Sequence, residues 1–465
     1  MITFGDIGHT TTIRVDKLTT SENPFDLFKK IYFLYERAFI LESLIGPKEL
    51  AEISVIGFDP TLTITCDSKN LTVKDRHGTI MQAFQTEEPL SILREIMPKV
   101  NDNRFRYIGG AVGYINYDAM RLWEHLPIKK NKKTSNFPLL EFGIYDDGIL
   151  FNHEENQAYY FFLGRSRLEE VEQKIADGRS KAAARFSYSI PRRNLKKSEF
   201  IKMVRKAKKY IYKGHIFQVV LAKSLSFRIS GNLLDLYEKL REVNPSPYMY
   251  MLKMHDRHII GSSPEMLIRI ASGGVETFPI AGTRPILEDE EKNEKLRQEL
   301  LKDEKEIAEH TMLVDLARND IGKVCEFGTV KVKQFLTVKR FSHVQHIVSH
   351  VTGRMQKDFD AYDCLKAVFP AGTVSGAPKV RAMQIIDELE PSVRGPYAGA
   401  VGYFSFNGSC DFAIAIRSLF VNGDKAYIQS GAGIVIDSDP QLEWAETEHK
   451  ANAMLSALKK AASEK

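Results

Sequence analysis

A segment that combines an apolar stripe with an acidic stripe constrains the fold of this chain most strongly. Residues 299–322, ELLKDEKEIAEHTMLVDLARNDIG, repeat apolar side chains at helical spacing, which predicts one helix with an inward-packed face. That stripe consists of Leu300, Ile307, Ala308, Met312 and Leu316. Asp303, Glu306 and Glu309 recur every third residue on another face. Like charges at this spacing repel one another by about a few tenths of a kcal/mol per pair.

A second segment near the end of the sequence repeats this arrangement. In residues 441–455, QLEWAETEHKANAML, Glu443 and Glu446 lie three apart and Lys450 follows one turn later. If the two helices face each other, Glu306, Glu309, Glu443 and Glu446 form an acidic cluster. Such a cluster suits Mg²⁺ held by one or two carboxylates, with waters and an anionic ligand completing its shell. Taken alone, either charge run is also explained by a solvated helix face.

Composition excludes several classes of function. The chain has 465 residues, 43% hydrophobic and 27% charged, and a net charge of +5, which indicates a soluble globular protein of two or three domains. No apolar run suits a membrane span or a signal peptide. The basic clusters at 129–133 and 192–197 lack interleaved aromatic residues, which argues against nucleic-acid binding. Cys66, Cys325, Cys364 and Cys410 have neither disulfide nor metal-ligand spacing, as in a cytoplasmic protein.

Three further patterns give structural expectations. Residues 186–197, with Pro191, form the best linker candidate. The run CDFAIAIRSLFV predicts one buried strand that contains Arg417, and YIQSGAGIVIDSDP predicts a strand broken at Gly431–Gly433. GAVGYINYD at 110–118 echoes GAVGYFSFN at 399–407. We expect these two segments to be strands of two separate sheets, with glycines that allow close backbone approach; an ancient duplication is the alternative.

A set of motifs, in order along the chain, resembles the chorismate-utilising enzymes. The motifs are GHIFQVVLAKS, SSPEML, PIAGTRP, KEIAEHTMLVDLARNDIG, SHVQHIVS, FPAGTVSGAPK, CDFAIAIRS and GAGIVIDSDPQLEWAETEHKA. ILES, GGAVGYINYD and NPSPYMYML extend the likeness over nearly the whole chain. The resemblance implies an α+β fold of packed antiparallel β-sheets flanked by helices. It also implies an N-terminal domain, 1–187, with a regulatory site, and a chorismate-binding catalytic domain, 188–465.

The resemblance also implies how the two carboxylates of chorismate are held. Mg²⁺ binds the ring carboxylate through Glu309 and Glu446, while Glu306 and Glu443 hold its waters, and Lys450 lies beside that carboxylate. The other carboxylate meets a group of residues that supply a hydroxyl, a guanidinium and backbone N–H groups of Ala432 and Gly433. That group is Tyr397, Arg417, Gly431, Ala432 and Gly433. Because a buried guanidinium without an anion is costly, Arg417 needs such a ligand or a structural ion pair.

Catalytic roles follow from the same resemblance. Glu265 is expected to be the general acid, which requires a raised pKa; the alternative is a helix-capping glutamate. His346 is the candidate base for the elimination step. Thr283 is expected to line the pocket, with Ala281 and Gly282 of the same loop and with Thr373 from the glycine-rich loop. That glycine-rich loop is also compatible with a plain turn.

Two positions separate the members of the family. Water-using members carry a lysine base at the position of Gln218, and the member that forms aminodeoxychorismate carries a lysine at the position of Ala281. A glutamine cannot deprotonate water, whereas ammonia needs no base. The sequence therefore favours formation of anthranilate and pyruvate from chorismate and ammonia. The alternatives are an aminodeoxychorismate-forming enzyme and a non-catalytic chorismate- or tryptophan-binding homologue.

Regulation and partners complete the expectations. The resemblance implies a feedback site for tryptophan between two strands, formed by Leu41, Glu42, Ser43, Asn244, Pro245, Tyr248 and Met249. The segment AEISVIG departs from the family there, so two packed strands without a ligand are the alternative. No cysteine lies on a tight glycine-flanked turn of the glutaminase type. Ammonia is therefore expected from a separate glutamine amidotransferase subunit, in a heterotetramer.

Overall fold

The computed structural model of the chain describes residues 12–45, 52–124, 126, 135–177, 184–341 and 344–463. The basic cluster at 129–133 lies outside these residues. No helix in the described part is long and apolar enough to cross a membrane.

Strands dominate the described residues and are numbered in chain order. They are β1 Ile13–Leu18, β2 Arg37–Glu42, β3 Ile53–Phe58, β4 Leu62–Asp67, β5 Asn70–Asp75, β6 Ile80–Gln85, β7 Gly110–Ile115, β8 Leu140–Tyr145, β9 Asp147–Asn152, β10 Gln157–Leu163, β11 Ser187–Tyr188, β12 Arg192–Arg193, β13 Gln218–Ser230, β14 Tyr248–Met254, β15 Arg257–Ser263, β16 Met266–Ala271, β17 Gly274–Thr277, β18 Ile280–Pro285, β19 Lys331–Arg340, β20 Val344–Arg354, β21 Gly376–Ala377, β22 Ala400–Ser405, β23 Cys410–Ile414, β24 Ser418–Asn422 and β25 Lys425–Ile434.

Helices connect the strands and cover the sheets. They are α1 Pro24–Tyr32, α2 Pro89–Ile96, α3 Leu168–Asp177, α4 Lys197–Tyr212, α5 Leu233–Val243, α6 Glu290–Leu300, α7 Glu304–Gly322, α8 Ala361–Val368, α9 Gly372–Ser375, α10 Lys379–Leu389 and α11 Pro440–Ser463, with a 3₁₀ helix at Tyr117–Leu122.

The described strands form two antiparallel sheets, which confirms the predicted α+β class. Sheet 1 has 13 strands, in the order β1-β10-β9-β3-β2-β14-β15-β24-β25-β13-β11, with β12 and β21 also paired to β13. Sheet 2 has 12 strands, in the order β18-β20-β17-β16-β23-β22-β7-β8-β4-β5-β6, with β19 paired to β20.

Alternate residues of the strands divide between two cores. Phe39 of β2 packs into a cluster that also contains Ile64 and Leu140 of sheet 2, so this core lies between the sheets. Its neighbour Ile40 joins a second cluster that contains Leu458 of α11. Because successive side chains of a strand point to opposite faces, sheet 1 is buried on both sides, between sheet 2 and the helices.

Both sheets continue through the expected domain boundary at residue 187. In sheet 1, β2 pairs with β14, where Glu42 lies opposite Met249. In sheet 2, β7 pairs with β22. The N-terminal and C-terminal halves of the chain therefore share hydrogen-bonded sheets, and the site described below is built on this shared framework.

The repeated GAVGY segments are neighbours, which corrects the expectation of two separate sheets. β7 and β22 lie side by side in sheet 2, with Gly113 directly opposite Gly402. A Cβ atom on Gly113 would collide with the Glu141 carbonyl, and one on Gly402 with the Asp411 carbonyl. The glycines do allow close backbone approach, but within a single sheet.

The predicted helix 299–322 is two helices. α6 ends at Leu300 and α7 begins at Glu304, because the Asp303 side chain accepts the Glu306 N–H as an N-cap. Asp303 is therefore not part of a helical acidic stripe. The buried residues of α7 are His310, Leu313, Val314, Asp320 and Ile321. Of the predicted stripe, Leu300 is buried, whereas Ile307, Met312 and Leu316 are half-buried and Ala308 is exposed. The prediction assigned the wrong face of α7 to the core, because it treated two helices as one continuous helix.

Candidate active site

Carboxylates from α7 and α11 face one another across a shared space. Burial raises the pKa of Glu309, and the charges of Glu306 and Glu446 add to that effect. Burial also raises the pKa of Glu443, again with a contribution from Glu446. Cations partly offset this charge. Arg284 lies 3.6 Å from Glu306, the Lys450 Nζ lies 2.5 Å from Glu446, and the charge of Lys305 acts to lower the pKa values of Glu309 and Glu443. The four predicted carboxylates are thus close enough to interact electrostatically.

This donor set suits a hard cation that is only partly held by protein. The buried Oε2 of Glu443 has no hydrogen-bond partner, and carboxylate oxygens are the ligands that Mg²⁺ prefers. Within the described ranges, no three His, Cys, Asp or Glu side chains are close enough together to hold an ion by themselves. The residues therefore fit a cation that keeps several waters or ligand oxygens, not a closed protein cage.

Gln218 joins this cluster to sheet 1. It is the first residue of β13, it is 2% exposed, and its Nε2 donates to Glu309 Oε1 at 2.8 Å. Its own Oε1 is buried without a hydrogen-bond partner. Gly433 lies against it, because a Cβ there would stand 2.5 Å from the Gln218 Nε2. The Gln218 Oε1 is therefore a buried acceptor whose lone pairs are not used by the described residues.

Glu265 lies between β15 and β16 in an apolar setting. Its carbonyl accepts the Ile414 N–H at 3.1 Å, which ties it to the end of β23. It lines a cavity, together with Met266, Leu267 and Thr373. Burial raises the pKa of Glu265 to about 8, although Thr373, the charge of Lys450 and the Ile280 N–H partly offset it. The carboxyl group is therefore largely protonated at neutral pH.

His346 and the PIAGT loop form one hydrogen-bonded unit. A β-bulge lies between Ala281 and Thr283 in β18, and Gly282 has φ +63°. The Gly282 carbonyl there accepts from the His346 Nδ1 at 2.8 Å, and the Thr283 Oγ1 lies 3.1 Å from the same nitrogen. Because a carbonyl only accepts, Nδ1 carries the proton and Nε2 keeps its lone pair. Burial lowers the pKa of His346 to about 4, so the ring is neutral at pH 7.

Arg417 is not within a strand, which corrects the prediction for CDFAIAIRSLFV. β23 ends at Ile414 in sheet 2 and β24 begins at Ser418 in sheet 1, and Arg417 lies in the crossing with φ +53°. Its Nη1 donates to the Lys450 carbonyl at 3.1 Å, and no ion pair of Arg417 is present in the part of the chain described here. The sequence predicted a single strand because its apolar pattern continues through this bend, and an apolar pattern does not show where a strand ends. The guanidinium is available for an anionic ligand.

The segment Gly431–Gly433 does not break its strand. β25 pairs with β13 without interruption from Lys425 to Ile434. The Val220 carbonyl bonds to Arg394 and the Ala222 N–H bonds to Glu390, so the backbone groups of these two residues point away from β25. In an antiparallel pair the residues alternate in direction, so Leu221 between them points toward β25 and its backbone bonds with that of Ala432. The Ala432 N–H is therefore bonded within the sheet and is not available to a substrate carboxylate, contrary to expectation. The backbone groups of Gly431 and Gly433 point to the edge of β25 that faces away from β13.

That other edge of β25 adjoins the remaining predicted residues. The Lys450 Nζ donates to the Gly431 carbonyl at 3.0 Å. A Cβ on Gly431 would lie 3.0 Å from the Tyr397 hydroxyl. Tyr397 is buried, and burial raises its pKa to about 12, so it is a hydroxyl donor at neutral pH. Cationic, hydroxyl and backbone groups thus meet along this edge of β25.

The structure also contains two ion pairs near the site that the sequence reasoning did not predict, although Lys379 itself was expected behind Thr373. Arg284, next to the expected pocket residue Thr283, pairs with Asp303 at 2.8 Å and approaches Glu306. Lys379 pairs with Asp320 at 2.5 Å, and Asp320 lines the Glu265 cavity. No sequence spacing links these partners, because each pair joins elements far apart in the chain.

A second cavity lies where the tryptophan site was expected. It is lined by Leu41, Glu42, Ser43, Tyr248 and Met249 among others, but not by Asn244 or Pro245. Asn244 instead donates to Ser262 Oγ at 2.8 Å. Arg106, Tyr403 and Asp411 also line it. Tyr403 could have been found from the sequence, because it is the last residue of the second GAVGY segment, which belongs to β22 beside this cavity.

Comparison with known proteins agrees with this geometry. A model of the chorismate binding enzyme family matches residues 36–456. The chain therefore belongs to the chorismate-binding enzymes.

Relatives within that family narrow the likeness. Anthranilate synthase component 1 of Methanothermobacter thermautotrophicus is 47% identical over 437 residues, which cover 94% of this chain and 92% of that protein. The crystal structure of anthranilate synthase component I from Streptococcus pneumoniae has a TM-score of 0.76 at 35% identity, and the match covers 89% of this chain and 94% of that one. The menaquinone-specific isochorismate synthase of Escherichia coli shares the fold, with a TM-score of 0.73 at 19% identity over 97% and 95% of the chains.

Proposed function

We propose that this chain converts chorismate and ammonia into anthranilate and pyruvate. The observation that carries the proposal is Gln218, whose amide donates to Glu309 at 2.8 Å and whose Oε1 has no other partner. A glutamine offers an acceptor to the N–H groups of ammonia but no base for water. The relatives from Methanothermobacter thermautotrophicus and Streptococcus pneumoniae are called anthranilate synthases, which agrees with this choice of nucleophile.

The substrate carboxylates determine how chorismate is oriented. We propose that Glu309 and Glu446 hold Mg²⁺, with Glu306 and Glu443 around its waters, and that the ion neutralises the ring carboxylate when bound. Lys450 adds a positive charge on the same side. Arg417, the Tyr397 hydroxyl and the edge of Gly431 and Gly433 receive the other carboxylate.

Glu265 and His346 divide the proton transfers. Ammonia attacks C2 while the C4 hydroxyl departs, and Glu265 gives that oxygen a proton so that water leaves. The nitrogen now bound to C2 releases one proton to solvent and becomes the neutral amine. In the second stage a base removes the C2 proton, and the enolpyruvyl group leaves and becomes pyruvate after it gains a proton. The neutral His346, with Nε2 unprotonated, is the group proposed to assist that removal. Thr373 and Thr283 orient the acid and the histidine.

We further propose that ammonia comes from a separate glutamine amidotransferase subunit. All four cysteines are buried and free. Burial raises the pKa of Cys66 and Cys325 to about 11 and that of Cys364 to about 12, and it raises the pKa of Cys410 well above its usual value. A glutaminase needs an accessible thiolate, and none of these thiols supplies one.

A feedback role for tryptophan is the proposed use of the second cavity. Ser43 Oγ is buried there without a hydrogen-bond partner, and Glu42 is held by the Arg241 Nε at 2.6 Å. An unpaired hydroxyl and a polar cavity wall suit the charged end of an amino acid, while Leu41 and Met249 supply apolar contact.

The test of the proposed reaction is the identity of the products. The isolated chain is incubated with chorismate, magnesium chloride and ammonium sulfate, and the products are separated by chromatography. Anthranilate and pyruvate are expected. Accumulated 4-amino-4-deoxychorismate would show that the Ala281 loop supports the other amination, and isochorismate would show that Gln218 does not exclude water.

A further inference from the structure

One edge of β13 is completed by side chains where no strand pairs with it. β25 covers one edge of β13 along its length. On the other edge, among the described residues, β21 pairs at Gln218–Val219 and β12 at Leu225–Ser226. The Ser224 backbone bonds to Asn194, and the described residues place no strand beside the stretch from Val220 to Lys223. Its backbone groups need other partners, because a buried unpaired N–H or C=O is costly.

The buried ion pair of Arg394 and Glu390 supplies partners to two of these groups, the Val220 carbonyl and the Ala222 N–H. The Arg394 Nη2 donates to the Val220 carbonyl at 2.8 Å, and Glu390 Oε1 accepts the Ala222 N–H at 2.8 Å. The same Nη2 donates to Glu390 Oε1 at 2.7 Å, and Nε donates to Oε2 at 3.0 Å. The two side chains are 1% and 2% exposed, so this pair is an internal part of sheet 1.

The remaining arm of the guanidinium reaches the glycine-rich loop. The Arg394 Nη1 donates to the Val374 carbonyl at 2.6 Å, and Val374 follows Thr373, which lines the Glu265 cavity. The guanidinium also lies 4.5 Å from the ring centroid of Tyr117 and 5.8 Å from that of Tyr397. A planar fork with five donors can serve several fixed acceptors at once, and here it bridges β13, the Thr373 loop and Tyr397.

We propose that Arg394, held by Glu390, is a positioning residue that fixes the Thr373 loop relative to the Gln218 end of β13. The inference rests on the proposed function, because it concerns the alignment of the Glu265 side and the Gln218 side of one substrate. Arg394 touches no reacting atom in this arrangement. It acts through two backbone carbonyls, Val374 and Val220, and through the ring of Tyr397.

The test compares Arg394→Lys with a matched control, Arg121→Lys. Arg121 lines the same small cavity as Arg394 and donates to Asp387 at 2.6 Å. Within the described residues, its contacts with Asp387 and Asp118 reach neither β13 nor the Thr373 loop. A lysine at 394 keeps the charge beside Glu390 and loses the fork. Ammonium-dependent turnover, the KM for chorismate and thermal melting are measured for both variants and the wild type.

Arg394→Lys is expected to lower kcat by about tenfold to hundredfold, because misalignment of about 1 Å has effects of this order. The KM for chorismate should change by less than about threefold, since the groups that hold the carboxylates remain. Arg121→Lys should keep the kcat of the wild type even if it melts at a similar temperature to Arg394→Lys. A variant Arg394→Lys that is folded and turns over at the wild-type rate would overturn the proposal.

A pH profile separates positioning from a general loss of stability. Glu265 faces Thr373, the charge of Lys450 and the Ile280 N–H, and Asp320, paired with Lys379, lines the same cavity. Of these groups, only Thr373 is next to Val374, whose carbonyl accepts the hydrogen bond from Arg394. If the loop moves, the Thr373 side chain, which lowers the pKa of Glu265, moves away from that carboxyl group, so the alkaline limb of kcat moves to higher pH in Arg394→Lys. An alkaline limb that stays at the wild-type pH would count against the proposal.

A second variant covers the case in which Arg394→Lys does not fold. Glu390→Met combined with Arg394→Met removes both charges at similar volume, and such replacements of buried ion pairs are often tolerated. This double variant should show the same loss of kcat, and wild-type turnover in it would overturn the proposal. Absence of turnover in the wild type itself would refute the proposed reaction, whereas equal turnover in all folded variants refutes only the positioning role.

Discussion

At the scale of residues, the fold assigns opposite protonation states to two candidate catalytic groups. Burial raises the pKa of Glu265 to about 8 and lowers that of His346 to about 4. At pH 7 one is a protonated acid and the other a neutral ring with a free Nε2. Pairs of titratable groups whose environments separate their pKa values are typical of acid–base sites.

The first prediction concerns the pH dependence of turnover. Only protonated Glu265 can donate, so kcat should fall as pH rises through about 8, the folded pKa of this group, with unprotonated ammonia held constant. Glu265→Gln should lower kcat by about 10²–10⁴-fold, the usual contribution of general acid catalysis, and remove that limb. Glu276→Gln, on the neighbouring β17, is the control and should keep the limb. A profile of wild type that is flat from pH 7 to 9 would contradict the role of Glu265.

The second prediction concerns the cavity beside β2. Ser43→Phe places a ring in the space that tryptophan is proposed to occupy. The tryptophan concentration that halves the rate, measured against the uninhibited rate of the same enzyme, should therefore be at least about tenfold higher for the variant than for the wild type. Calorimetry should detect tryptophan binding to the wild type and much weaker binding to the variant. No heat and no inhibition of the wild type at millimolar tryptophan would reject the site.

Single residues also show where sequence reasoning stops. The carboxylates of α7 and α11, with Glu265, were predictable because their spacing and motifs are local. Glu390 and Arg394 were not, since an acid and a base four residues apart resemble an exposed helical pair, and only the packed structure shows that both are buried. The orientation of the Ala432 N–H likewise depends on the register with β13, which no local pattern encodes.

At the scale of elements, the errors come from boundaries. The sequence predicted helices, strands and their motifs, but it joined α6 to α7 and β23 to β24. In the first case the cap formed by Asp303 interrupts a continuous helical pattern. In the second, an apolar run continues through Arg417 while the chain crosses from sheet 2 to sheet 1. Periodicity reports which face is apolar, and it does not report a change of sheet.

The third prediction tests the contact between β25 and β13. In Gly433→Ala the new Cβ would stand 2.5 Å from the Gln218 Nε2 and 3.4 Å from Glu309 Oε1. The Gln218 amide must then move off Glu309, and kcat/KM for ammonia should fall by about tenfold or more. Gly322→Ala, at the end of α7, meets nothing within 4 Å and serves as the control. Unchanged ammonia kinetics in a folded Gly433→Ala would mean that Gln218 has no part in nucleophile selection.

At the scale of the whole molecule, two sheets shared by both halves of the chain bring distant segments together. β7 and β22 join the halves through Gly113 and Gly402, and the acidic cluster forms only when α7 and α11 meet. The predicted α+β architecture of packed sheets is confirmed, while the strand order that places the two GAVGY segments side by side was not predictable from patterns of apolar residues.

The fourth prediction concerns the ion that would join α7 to α11. Activity should require Mg²⁺, and Glu309→Gln or Glu446→Gln should abolish turnover while the protein remains folded, because each removes a proposed ligand. Mg²⁺ with chorismate should raise the melting temperature of the wild type and not that of either variant. Glu304→Gln, exposed on the same helix, is the control. Full activity in excess EDTA would rule out the metal.

The most direct test of the central claim follows a nitrogen label. The isolated chain is given chorismate, Mg²⁺ and either ¹⁵N-ammonium or glutamine labelled at its amide, and anthranilate and pyruvate are quantified with the label. With ammonium, every anthranilate should carry ¹⁵N and be accompanied by one pyruvate; with glutamine alone, no anthranilate should form until an amidotransferase subunit is added. Labelled anthranilate from glutamine and the chain alone, or chorismate left unconsumed with ammonium, would contradict the account.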